Sequence, residues 1–174
     1  RADRLGRKLP SDVKLTQAPP GTELGDMLER GELDFIITAN NPLSFRRGSK
    51  KVARLFPNYG EVEKDYYRRT KIYPIMHTLV IRRDVYERDP WVALNLYKAF
   101  SAAKHHACHL LSETGSPKAS FAWLQAMIEE EQAIIGPDWY PYGIEQNRPS
   151  LEALLQYAHE QGLTDRRVKI AELF

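Results

Sequence analysis

The sequence predicts an α/β protein, on three observations. Three short runs rich in β-branched and aromatic residues, at 12–16, 33–38 and 72–82, have the length and composition of strands. Stretches with apolar residues at steps of three and four occupy most of the last hundred residues. The order around residue 33, a short helical pattern and then Gly-Glu-Leu-Asp-Phe-Ile-Ile, is that of an α/β unit.

Each element has its own signal. Residues 1–10 are basic and unpatterned and read as an arm. Residues 12–16 alternate polar and apolar. Pro19-Pro20-Gly21 is a stop, after which Thr22 can cap a short helix with Leu24, Met27 and Leu28 inward and Gly31 at its end. The apolar run 33–38 is too brief for a helix. It leads into the loop Asn40-Asn41-Pro42, a natural ligand position if the run is a parallel strand. Residues 43–56 are dense in cations, with Phe45 and Phe56 between them, and a solvated basic loop or helix face is the simplest account. A helix is expected over 61–69. Pro74 then stiffens the entry to the third run and places His77 at its start. Asp89-Pro90 opens a long helix with a stripe through Ala93, Leu96, Phe100, Ala103, Ala107 and Leu110, ended by Gly115-Ser116-Pro117. A second helix carries Phe121, Leu124, Ile128 and Ile135. A third, from near Pro149, buries Leu151, Leu154, Leu155 and Ala158. Three strands make a thin sheet, which points to part of a larger two-lobed protein. Residues 1–70 would end one lobe, and 71–174 would return, mainly helical, to the other.

Composition narrows the function. The chain has 174 residues, 43% hydrophobic and 28% charged, with a net charge of +2. That balance gives no reason to expect a nucleic-acid or membrane partner. The one cysteine, Cys108, excludes an internal disulfide framework and sits in no nucleophile context. There is no glycine-rich phosphate loop and no serine elbow. His105 and His109 have metal-pair spacing, but they fall opposite the apolar stripe with no carboxylate in a zinc-protease arrangement, so no metal site is expected. His106 and His159 have no evident partner.

What remains is a set suited to a flat organic acid: Asn40, Asn41, Ser44, Arg46 and Arg47, then Tyr73 and His77, then Trp139 and Tyr142 in an aromatic loop. Arginines take carboxylates bidentately, aromatics stack on rings, and histidine moves protons near neutrality. The alternative for His77 is a buried ring bonded to a backbone carbonyl.

Several segments resemble the 4,5-dihydroxyphthalate decarboxylase family. They are Arg54-Leu-Phe-Pro-Asn-Tyr59, Glu63-Lys-Asp-Tyr-Tyr67, Tyr73-Pro-Ile-Met-His77, Ile81-Arg-Arg-Asp-Val-Tyr86 and Pro90-Trp91 with Leu96-Tyr-Lys-Ala-Phe100. Trp139-Tyr-Pro-Tyr-Gly143, Leu151-Glu-Ala-Leu-Leu155, Glu160-Gln-Gly-Leu163 and Glu172-Leu-Phe174 continue the likeness to the chain end. The resemblance implies a type II periplasmic-binding-protein-like fold, of which this chain is the C-terminal part. It also implies removal of one carboxylate from 4,5-dihydroxyphthalate, giving protocatechuate and carbon dioxide without an organic cofactor. His77 would be the proton donor or would polarise a ring hydroxyl. Arg46 and Arg47 would hold the spectator carboxylate, with Trp139 and Tyr142 as a wall. One departure stands out: relatives tend to carry Ala-Arg and a proline where this chain reads Ala39-Asn-Asn-Pro42. The expected partner is therefore a small aromatic carboxylic acid, with a homo-oligomer left open and a cytoplasmic location. The alternative is a solute-binding protein of a transporter, which would be periplasmic. A third reading is an inactive lobe fragment.

Overall fold

The computed structural model describes residues 11–116 and 118–174; the basic arm expected over 1–10 and Pro117 lie outside them. The chain divides into two compact units, Arg1–Glu63 and Lys64–Phe174. Every regular element among the described residues is helical. They are α1 Leu24–Arg30, α2 Leu43–Arg46, α3 Tyr59–Thr70, α4 Arg83–Arg88, α5 Trp91–Ser112, α6 Leu124–Ile135, α7 Ile144–Glu160 and a closing 3₁₀ turn, Ile170–Glu172.

The α/β expectation, and with it the periplasmic-binding-protein-like fold, is corrected by this architecture. None of the three β-rich runs forms a strand among the described residues. A strand exists only when its N–H and C=O groups find a neighbouring strand, and composition does not supply one. The 33–38 and 72–82 runs find none here. Several of their apolar side chains stand in solvent, with Ile37 93% and Val80 83% exposed. Among the described residues no helix is long and apolar enough to cross a membrane.

The helices follow their local signals closely. α1 ends at Gly31, whose φ of 79° lets its N–H reach Leu28 O while Glu32 N–H reaches Met27 O, a Schellman-type close. Glu23, not Thr22, occupies the N-cap. α5 begins after Asp89-Pro90 as expected, and its stripe holds in part: Ala93, Leu96 and Leu110 are partly covered, whereas Phe100 is exposed. Ala103 and Ala107 are exposed, while Lys104, Cys108 and Leu111 are partly covered. α7 starts five residues before Pro149 and runs through it. α2 and α4 carry no periodicity long enough to read from sequence.

In the second unit a small core gathers Leu151 and Leu155 from α7 with Ile170 of the 3₁₀ turn, flanked by Ile75, Ile144 and Val168. Ile75 lies two residues before His77, so this core fixes the segment that carries the histidine.

Candidate functional site

The candidate residues fall in both units, and each set has its own support. In the first unit, Ser44 is fully buried and donates its hydroxyl to Gly25 O at 3.1 Å. It therefore ties α2 to α1, and its bond is spent inside the protein. A Cβ added at Gly25 would stand 2.7 Å from Pro42 Cβ, so the absence of a side chain there lets the Asn40-Asn41-Pro42 turn close onto α1. Thr38 Oγ1 accepts from Asn40 N–H at 3.3 Å and lies 3.2 Å from Asn40 O, which shapes the turn and leaves both asparagine side chains exposed.

The cations sort into committed and free. Arg47 is ion-paired with Glu29. A side-chain hydrogen bond from Ser49, helped by Arg47 and Lys51, holds the Glu29 carboxyl below its usual range. Arg54 is sandwiched between Phe45 and Tyr59, 5.0 and 4.7 Å from their ring centres. Arg46 is exposed and has no ion-pair partner among the described residues. Of the two arginines expected to hold a carboxylate, Arg46 is the uncommitted one.

In the second unit, α3 ends with Thr70 Oγ1 bonded to Tyr66 O at 2.7 Å and accepting from Ile72 N–H at 3.1 Å. Lys71 takes a left-handed φ of 56°, and its ammonium lies 5.2 Å from the Tyr67 ring centre. The chain then meets α7, where Tyr73 N–H donates to Ser150 Oγ at 3.0 Å. His77 follows and is exposed, so the alternative of a buried histidine bonded to a carbonyl does not describe it.

The aromatic loop is held from α5. Lys104 has a side chain only 8% exposed, and its ammonium reaches both Asp138 oxygens at 2.8 and 2.7 Å and Tyr140 O at 3.2 Å. It also sits 4.8 Å from the Tyr142 ring centre. Tyr140 and Tyr142 meet edge to face at 6.3 Å. From the other side, Asn147 Nδ2 donates to Pro141 O at 2.9 Å and Gly143 O at 2.8 Å. Trp139 is half-buried and closes an open hollow of about 270 Å³ with Leu124, Met127, Ile128 and Glu131. His77 does not line that hollow.

The residues that sequence reasoning missed are Lys104, Asp138 and Ser150. A signal for the first existed: Lys104 borders the small-residue stripe of α5, and Asp138 opens the aromatic loop without a neighbour of opposite charge. Their pairing across 34 positions could not be read from either segment alone. His109 Nε2 lies 3.6 Å from Glu113 Oε1, while no group of three His, Cys, Asp or Glu side chains among the described residues is placed to hold a metal ion.

No family model matches the chain. A protein of Comamonas testosteroni named 4,5-dihydroxyphthalate decarboxylase is 34% identical over 174 residues, all of this chain and 53% of that protein. One of Pseudomonas putida with the same name is 37% identical over 68 residues, 39% of this chain and 26% of that protein. The chain spans about half the length of the first of these relatives. It is thus related, over its whole length, to the 4,5-dihydroxyphthalate decarboxylase family.

Proposed function

We propose that this chain belongs to a carboxy-lyase acting on an aromatic dicarboxylate, with 4,5-dihydroxyphthalate as substrate and protocatechuate and carbon dioxide as products. The observation that carries the reading is the 34% identity, over every residue of the chain, to a decarboxylase of that name. Both named relatives are decarboxylases, and no observation favours the transport alternative.

The chemistry follows from the substrate. Each carboxylate is para to a hydroxyl, which can push electron density toward the carbon that bears the leaving group. A proton added at that carbon lets the carbon–carbon bond break, with its electron pair returning to the ring as carbon dioxide departs. His77, exposed on a segment fixed at Tyr73 and Ile75, is the proton donor in this reading. In the first unit, taken by itself, the uncommitted Arg46 beside the Asn40-Asn41 turn is a group chemically suited to a carboxylate. Trp139 and Tyr142 provide the flat apolar surface.

The test is direct. The purified chain is incubated with 4,5-dihydroxyphthalate, and carbon dioxide and protocatechuate are measured together. One-to-one formation is expected, with His77→Ala reducing it by about a hundredfold or more, the range typical of a positioned proton donor. Because His77 is exposed, the variant should keep the parent's melting temperature. Undiminished release from His77→Ala removes the assignment of the proton donor, and no release from the parent chain removes the reaction for this polypeptide.

A further inference from the structure

We propose that Lys104 is a positioning residue for the aromatic wall, setting how well the substrate ring is held without touching it; this rests on the reading of Trp139 and Tyr142 given above. An ammonium has three hydrogens, and here each has an acceptor: the two Asp138 oxygens and the Tyr140 carbonyl. All three acceptors belong to the loop that carries Trp139 and Tyr142, and the Tyr142 ring lies against the same ammonium. A cation placed this way joins two points of the aromatic segment to one point on α5, the longest helix among the described residues.

The asymmetry of exposure supports a one-sided role. The Lys104 side chain is 8% exposed, whereas that of Asp138 is 51% exposed. The lysine is the more enclosed of the two partners, so the loop is held onto it. Asp138 without the lysine would simply be hydrated. Removing the ammonium therefore frees the loop while stranding no buried charge, which makes Lys104→Met an informative variant. The site is also committed: with every donor used and a carboxylate in contact, Lys104 is not available to bind a substrate carboxylate itself. Trp139 sits one residue from Asp138 and two from the end of the Gly136-Pro137 break that closes α6, so its ring orientation depends on the same clamp.

The experiment uses Lys104→Met and Asp138→Asn in the full chain, with Trp91 and Trp123 changed to Phe so that Trp139 is the remaining tryptophan. Two readouts are taken. Without ligand, Trp139 emission and its quenching by acrylamide report the loop. With 4,5-dihydroxyphthalate, KM and kcat are measured separately, with phthalate binding by fluorescence alongside. Lys104→Met is expected to red-shift the emission, raise quenching, and raise KM about tenfold while kcat stays within threefold. Asp138→Asn, which keeps the loop's shape and sits half in solvent, should do the same in smaller degree. Unchanged emission in both variants overturns the proposal. So does a loss of kcat and melting temperature together at constant KM, which is what a merely structural lysine would give. A parent chain that neither binds phthalate nor releases carbon dioxide fails on the substrate reading instead, and the ligand-free emission still decides whether Lys104 sets the loop.

Discussion

The backbone N–H of Tyr73 donates to the buried hydroxyl of Ser150, joining positions 77 residues apart at 3.0 Å. Together with Ile75 in the small core, this bond turns the segment leaving α3 onto α7 and helps set where His77 emerges. The hydroxyl supplies what a strand neighbour would otherwise have supplied: an acceptor for an extended backbone's amide.

Replacing Ser150 with Ala leaves that amide without its partner in a partly buried place. A loss of about 1–3 kcal/mol is expected, the cost of stranding a buried donor. Urea unfolding measures the loss, and amide exchange at Tyr73 should accelerate selectively. If exchange at Tyr73 is unchanged, the segment is held by other contacts.

Two glycines in helices should respond to alanine with opposite signs. At Gly25 the new methyl would lie 2.7 Å from Pro42 Cβ and 3.5 Å from Ser44 Oγ. Crowding of about 1–3 kcal/mol then outweighs the gain in helix propensity, and α1 must move from α2. At Gly60 in α3 nothing lies within 4 Å of the added carbon, so Gly60→Ala should stabilise by up to about 1 kcal/mol. Thermal unfolding of both variants checks the pair, and equal signs would contradict the geometry.

Acid should act on the chain end through Glu172. A bidentate pairing with Arg166, supported by the Lys169 backbone N–H at 3.0 Å, draws its carboxyl down to about 2 from an ordinary 4.5. A lowered value in the folded state means a contribution fully present above the unfolded value and lost as pH falls from 4.5 through about 2. NMR titration of the Glu172 side chain should show the low midpoint. Arg166→Gln should return it toward the usual carboxylate range, and an unmoved midpoint would assign the shift to other groups.

Much of the helical layout was legible because its signals are local. Gly31, Gly136, Asp89-Pro90 and the spacing of Leu151 and Leu155 all report on neighbours within a turn or two. The sheet was misread because β-branched composition describes a residue's own preference, whereas a strand depends on a second segment. The run through Thr78, Leu79 and Val80 has the preference without the neighbour. The partial departure of the α5 stripe has a similar origin. Alanines score as apolar but bury little, and Lys104, paired with Asp138, is more covered than Ala103 and Ala107. For the candidate site, residue types could be read and commitments could not. Nothing in the sequence distinguishes Arg46, left free, from Arg47, which Glu29 occupies, or from Arg54, which Phe45 and Tyr59 enclose.

The left-handed Lys71 acts as a phase lock. With φ at 56°, helical winding stops after Thr70, and the direction in which the following backbone departs is set by a single dihedral. One extra residue before that point would rotate the departing chain by about 100° about the α3 axis, carrying Tyr73 off its hydroxyl and His77 to a different side. Length variation among related sequences should therefore be tolerated elsewhere before it is tolerated between Tyr67 and Tyr73.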